Sequence, residues 1–188
     1  MRIPNYPIEP LIVNRWSPRA MSGEPITHDE LMALFEAARW APSSYNNQPW
    51  RFIYAQRDTP HWSKLFDLLV PFNQEWCARA AVLILVLSRR TFFFNNKPSR
   101  THSFDTGAAV ENLALQGHAM GLVVHGMEGF DYDRARAIFA IPDEYTVEAV
   151  FAVGRPASPD VLSPELKSRE VLSDRKPIAE FVTEGTFS

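Results

Sequence analysis

The chain has 188 residues, with 19 Lys and Arg against 22 Asp and Glu and a net charge of -3. That length suits one domain able to bury a real core, and 46% hydrophobic with 22% charged content excludes a disordered chain. The charge excludes a strongly basic nucleic-acid binder and a polybasic membrane-surface protein, and a single cysteine, Cys77, excludes an intrachain disulfide framework and a Cys-rich zinc site.

Residues 1–25 carry Pro4, Pro7, Pro10, Pro18 and Pro25 and read as an extended arm, not a helix. The N-terminus has no apolar leader, and the longest apolar run, 80–87, is far short of the ~20 residues of a spanning helix. A cytoplasmic protein is expected. Thr27 and Glu30 have capping-box spacing, and Leu31, Leu34, Phe35 and Ala38 recur at helical intervals until Pro42. Ser43 to Gln48 is a polar loop, followed by a strand on Trp50, Phe52 and Tyr54. Thr59-Pro60 opens a helix to about residue 69, and 73–79 adds a helical turn or two. The apolar run 80–88 reads as a buried central strand.

A basic, aromatic loop with Phe92, Phe93 and Phe94 leads to the longest helix, 103–120, closed by Gly121. That helix is apolar nearly all round, which predicts burial on every side, in a domain core or a subunit interface. A strand at 122–124, a helix at 132–139 and a strand at 146–153 follow. From Pro156 the chain is Pro- and Ser-rich, with a candidate strand at 178–182. Alternating helices and strands give an α/β or α+β class.

No GxGxxG or GxxxxGK[ST] phosphate loop occurs, and the five histidines show no HxxxH or HExxH spacing for a metal. Cys77 sits among apolar residues and reads as packing. Three segments are richer. In Arg15-Trp16-Ser17-Pro18-Arg19, alternate residues of an extended arm share a side, which suits charge-assisted bonds to a phosphate or a solvated basic patch. Pro42-Ser43-Ser44-Tyr45-Asn46-Asn47-Gln48-Pro49-Trp50 concentrates hydroxyls and carboxamides between prolines. It could match the edge of a planar heterocycle, or be a loop of turn formers. Gly126-Met127-Glu128-Gly129-Phe130-Asp131 follows a strand, either as a close backbone approach to a ligand or as a simple turn.

Taken in order, these segments resemble the nitroreductase family of flavin oxidoreductases. Phe104 to Leu113 with Gly121-Leu122, and Ser173-Asp174-Arg175-Lys176-Pro177, extend the likeness over nearly the whole chain. The resemblance implies one α+β domain over 1–188, with an arm at about 1–25 and a C-terminal extension from about 156. It implies a central, mostly antiparallel sheet flanked by helices, and a homodimer with the long helix at its interface. It also implies non-covalent FMN, with NADH or NADPH as electron donor and a nitroaromatic, quinone or related small conjugated acceptor reduced by ping-pong hydride transfer.

In that scheme Arg15, Ser17, Arg19 and Arg175 would hold the phosphate and ribityl, with Trp16 contributing backbone. Pro42, Ser43, Ser44 and Asn46 would come from the other subunit and flank the ring, and Gln48 in the same loop would also bind the cofactor. Asn73 would meet the pyrimidine end of the ring. Gly126, Glu128 and Gly129 would place a backbone N–H at N5, and the flavin rather than a side chain would carry the chemistry. A reductive dehalogenase, a flavin-destructase-like relative, or a flavin sensor or store without turnover are the other readings. Four features depart from the pattern. Ser173 replaces a cation, for which Lys176 could substitute, Trp76 replaces a Lys, Arg155 replaces an aromatic residue, and the Phe92–Phe94 loop has no family role.

Overall fold

A computed structural model describes residues 2–187. Strands β1 (Trp50–Gln56), β2 (Val82–Arg89), β3 (Val123–Met127) and β4 (Tyr145–Gly154) form one sheet in the order β1-β2-β4-β3. Every pair is antiparallel. The described residues also form seven α-helices, α1 (Pro10–Asn14), α2 (His28–Arg39), α3 (Trp62–Phe66), α4 (Pro71–Cys77), α5 (His102–Ala119), α6 (Tyr132–Ile138) and α7 (Pro164–Ser168). The class is α+β. No helix among the described residues is long and apolar enough to cross a membrane.

The run Val82 to Leu87 is continuously apolar because β2 lies inside the sheet and is covered on both faces. Leu83, Leu85 and Leu87 enter a core with Leu65 of α3, Trp76 and Cys77 of α4 and Ala135 of α6. Val82 and Ile84 enter the opposite core with Leu31 and Leu34 of α2 and Ala109 and Leu113 of α5. Cys77 is buried, and burial pushes its thiol up to about 12, which makes it a packing residue. Helix α5 reaches the sheet through Gly117, where a Cβ would overlap Val124 Cγ2 and also touch Leu34.

Several sequence expectations change. The arm is not wholly extended: Pro10, at the first helical position, starts the single turn α1. The helix expected to reach residue 69 ends at Phe66, because Leu69 forms a bridge to Phe130 instead. Strand β3 runs on to Met127 and takes Gly126 into the ladder. The candidate strand at 178–182 is an exposed 3-10 turn, Ile178–Glu180, with no strand partner. Helix α5 buries one face only. Asp105, Ala109, Leu113 and Gly117 are covered, while Phe104 is 81% exposed.

The start of α2 forms as its spacing predicts. Thr27 Oγ1 accepts from Glu30 N at 3.1 Å, and Thr27 N donates to Glu30 Oε2 at 2.7 Å. Arg155 closes the cap, donating to both Glu30 oxygens at 3.0 and 2.9 Å. The Thr27 N–H holds the Glu30 carboxyl below its ordinary range, opposed by partial burial and assisted by Arg155. This stabilisation is complete above the unfolded value, about pH 4.3, and is lost as pH falls through the lower folded one. Glu30→Gln keeps a capping side chain but removes the charge. Denaturant melts should show a deficit of about 0.5–1 kcal/mol at pH 7 that shrinks below about pH 4.

Candidate functional site

The arm after α1 runs alongside residues 155–157, where Ser22 N donates to Arg155 O at 2.9 Å and Ala157 N to Ala20 O at 3.1 Å. Its other anchor is Glu170, just past α7, whose Oε1 accepts from Arg19 N at 2.7 Å and Ala20 N at 2.9 Å. The Glu170 carboxylate is almost wholly buried and faces Arg19 at 4.0 Å. A buried carboxylate needs a cation, and Arg19 supplies it. Arg19 is therefore drawn towards Glu170, while Arg15 and Ser17 share a side as expected, with Arg15 Nη1 donating to Ser17 Oγ at 3.1 Å.

His125 of β3 fixes Pro18. Its Nδ1 lies 3.0 Å from Pro18 O, and a carbonyl only accepts, so Nδ1 carries the proton. Burial holds this imidazole below its usual value and therefore neutral at pH 7. Its ring packs on Trp76 at 4.5 Å. Trp76 Nε1 points to Asn73 Oδ1 at 3.4 Å, and Asn73 Nδ2 donates to Gly129 O at 3.0 Å. Gly129 has no room for a side chain, since a Cβ would lie 2.8 Å from Asn73 Nδ2. Asn73 thus holds the turn that follows β3 at Glu128 and Gly129, from which Glu128 is exposed to solvent.

Arg15 and Ser17 open onto a cavity of about 430 Å³ between α5 and the sheet. Val86, Ala149 and Phe151 wall it. The Phe151 ring folds over its cross-strand partner Gly126, where a Cβ would meet the ring at 2.8 Å. The volume lies in the range of small-ligand sites. Thr106 also lines the cavity, and its buried hydroxyl has no partner. At the far end, Glu148 accepts from Ser103 at 2.6 Å and from Ser88, while Ser88 Oγ lies 2.7 Å from His102 Nδ1. These four residues come from three elements, and no sequence spacing announces them.

The amide loop lies elsewhere. Asp105 at the start of α5 accepts from Ser44 N at 3.0 Å and Thr101 Oγ1 at 3.3 Å. Ser43 Oγ accepts from Gln48 N at 3.0 Å, and Gln48 Nε2 donates to Asn46 Oδ1 at 3.1 Å. Tyr45, Asn46 and Gln48 all hold positive φ, a strained backbone for side-chain-bearing residues. Asn47, missed as a site residue, ties this loop to the Phe loop: it accepts from Phe93 N at 3.0 Å and donates to Thr91 O at 3.3 Å. Tyr45 then meets Phe92 and Phe94 at 5.6 and 5.9 Å. Among the described residues no hydrogen bond or ion pair joins 42–48 to Arg15, Ser17 or Arg19.

In the C-terminal extension, Arg175 Nη1 donates to Ser173 Oγ at 3.1 Å. Lys176, considered in place of a cation at Ser173, pairs with Glu180 at 3.5 Å. The cation at Ser173 is Arg2, which sequence reasoning passed over in the proline-rich arm. Its Nε donates to Ser173 O at 2.8 Å.

The profile of the nitroreductase family matches residues 12–61 and 59–155. The chain belongs to the nitroreductase family. A Rhodopseudomonas palustris (strain TIE-1) protein provisionally named NADH dehydrogenase/NAD(P)H nitroreductase is 28% identical over 75% of this chain and 80% of its own. A Bacillus subtilis (strain 168) protein provisionally named NAD(P)H nitroreductase YfhC is 24% identical over 88% and 90%.

Among solved structures, one described as an oxidoreductase containing FMN superposes with a TM-score of 0.95. It is 44% identical and covers 100% of this chain and 96% of that one. A provisionally named nitroreductase in complex with FMN from Desulfovibrio desulfuricans gives 0.74 at 28% identity, over 97% and 100%. In this nitroreductase-family chain, Asp105 anchors the amide loop from the long helix. Asp105→Ala leaves Ser44 N–H and Thr101 unpartnered, and should cost about 1–3 kcal/mol in denaturant melts. Hydrogen exchange should speed up at residues 43–48 before it does in the sheet.

Proposed function

We propose that the protein is an FMN-dependent oxidoreductase that uses NADH or NADPH to reduce nitroaromatics, quinones or a related conjugated acceptor, in ping-pong fashion and as a homodimer. The observation that carries this reading is the cavity that Arg15 and Ser17 open onto. One end offers a guanidinium and a hydroxyl, and Val86, Ala149 and Phe151 give an apolar wall beside the polar side chains of Thr106, Ser103 and Glu148. A flavin mononucleotide needs that division, a phosphate held by charge and a ring held against apolar surface. The residues present fit the group. The likeness to an oxidoreductase containing FMN over the full chain supports the same assignment.

FMN, when bound, supplies the capacity to accept hydride from the nicotinamide and to pass it to the acceptor. The chain's own residues bind and orient. Arg15 and Ser17 hold the phosphate, with Trp16 backbone between them and Arg175 from the tail. Arg19 assists from its pairing with Glu170 and keeps the arm in place. Gly126, Glu128 and Gly129 present the backbone of a turn to the reacting end of the ring. Asn73 sets that turn and borders the ring. Pro42, Ser43, Ser44 and Asn46, with Gln48 bracing Asn46, are supplied by a second copy of the chain. Two features support that. The amide loop is unlinked to the arm within one chain, and α5 leaves Phe104 and its neighbours uncovered.

Purified protein should be yellow and release FMN on heating. Under anaerobic conditions NADH or NADPH should bleach it, and a quinone should restore the colour. Protein that cannot be loaded with FMN overturns the reading, while a flavoprotein that no pyridine nucleotide bleaches is a sensor or store. Arg15→Ala should weaken FMN binding by about 10- to 100-fold in a fluorescence titration, from the loss of a charge-assisted contact of about 1.5–3 kcal/mol.

A further inference from the structure

We propose that Arg2 completes an anion cradle with Arg15 and Arg175, in which the N-terminal arm and the C-terminal tail together grip the phosphate monoester of the ligand. This rests on the FMN reading above and adds to it a residue outside the stretch, 12–155, that the family profile matches.

Arg2 is bonded as a latch. Its Nη1 donates to Val13 O at 3.1 Å and Arg15 O at 2.8 Å, and its Nε donates to Ser173 O at 2.8 Å. Its Nη2 approaches Ser173 Oγ at 3.4 Å, and Arg175 Nη1 reaches the same hydroxyl at 3.1 Å. Arginines 2, 15 and 175, with the hydroxyls of Ser17 and Ser173, are thereby drawn together from the two ends of the chain, the arm and the tail.

The gathering is short of counter-charge. Among the described residues no ion pair forms at the Arg2 or Arg175 guanidinium; Asp174 lies nearby but its Oδ1 accepts from the Arg175 backbone N–H at 2.8 Å, and Arg15 has only Glu111, at 3.6 Å and mostly exposed. Burial, then the positive charges of Arg175 and Arg15, hold the Arg2 guanidinium below its ordinary value, while Asp174 offsets this in part. Like charges so arranged repel. A dianion would turn that repulsion into attraction, and a phosphate monoester carries nearly two negative charges near neutral pH.

The unspent donors suit it. A guanidinium has five N–H groups. Arg175 spends its Nη1 on Ser173 Oγ and Asp174 O, so its Nε and Nη2 groups remain. Arg15 spends Nη1 on Ser17. Arg2 spends most of its donors on backbone. It therefore acts chiefly as a positioning residue, which keeps Arg15 and Arg175 in one site and adds a third charge.

The test compares FMN with riboflavin, which has the same ring and no phosphate. Flavin fluorescence titration of the full-length protein gives both affinities for the parent, Arg2→Gln, Arg2→Lys and Arg175→Gln. Arg2→Gln should weaken FMN about tenfold, the scale of one charged contact, and leave riboflavin within about twofold. Arg2→Lys should recover part of the loss, and Arg175→Gln should show the same split. Equal weakening of both flavins assigns Arg2 to tail packing alone and overturns the proposal. Unchanged FMN affinity in Arg2→Gln overturns it too, while leaving the FMN reading intact. A parent protein that binds neither flavin overturns that reading and this one with it.

Discussion

The architecture depends on one strand that water cannot reach from either side. Strand β2 lies between β1 and β4, and every residue from Val82 to Leu87 is buried. Both its faces need apolar cover, so helices must pack above and below the sheet. On one face α3, α4 and α6 complete that cover. On the other, α2 and the C-terminal half of α5 close over Val82, Ile84 and Val124. The N-terminal half of α5 stands off, and Val86, Ala149 and Phe151 remain as a wall without a lid. The cavity thus lies where the helical cover over this face, close at Ala109, Leu113 and Gly117, does not reach Val86, Ala149 and Phe151.

What enters the cavity is governed by where backbone polar groups find partners. The arm has no full place in the sheet. It borrows a short pairing with 155–157, the buried carboxylate of Glu170 and the neutral ring of His125. These anchors hold residues 18–22 and leave Arg15 and Ser17 beyond them, at the mouth of the cavity. The same accounting explains Trp76. Packed against His125 and bonded to Asn73, it ties the arm, β3 and the turn at Glu128 and Gly129 into one body. A cation in its place would lie buried, whereas an indole needs only the single acceptor that Asn73 offers.

Much of this was legible in the sequence because it is local or periodic. The capping box at Thr27, the uninterrupted β2, the span of α5 and the shared side of Arg15 and Ser17 follow from spacing within a few residues. Those features need no knowledge of what lies opposite. The illegible parts depend on partners far along the chain. The pairing of Arg19 with Glu170, 151 positions away, is one such feature. Asn47 looked like one amide among several until the Phe loop docked on it. Arg2 was hidden by surrounding prolines that argue for an arm but say nothing of where it lies. At 178–182 an apolar run met no free strand edge, so propensity alone did not make a strand. At α5 an all-round apolar surface predicted complete burial, which one chain does not provide.

That last mismatch carries the furthest consequence. A helix with Phe104 in water, an aromatic cluster at Tyr45 and Phe94 also in water, and apolar residues along both termini give the chain more exposed apolar surface than a lone domain favours. On the proposed reading the residues around one ring come from the arm and the amide loop, which no hydrogen bond or ion pair joins among the described residues of one chain. Within one chain the loop has its own tethers, Ser44 N to Asp105 and Phe93 N to Asn47, and carries three residues at positive φ. Bringing a second copy's amide loop to the first copy's arm would cover α5 and complete the site in the same contact. On the proposed reading, folding and ligand binding are therefore coupled through assembly: the surface that makes one chain incomplete as a catalyst is the surface that makes two of them stable.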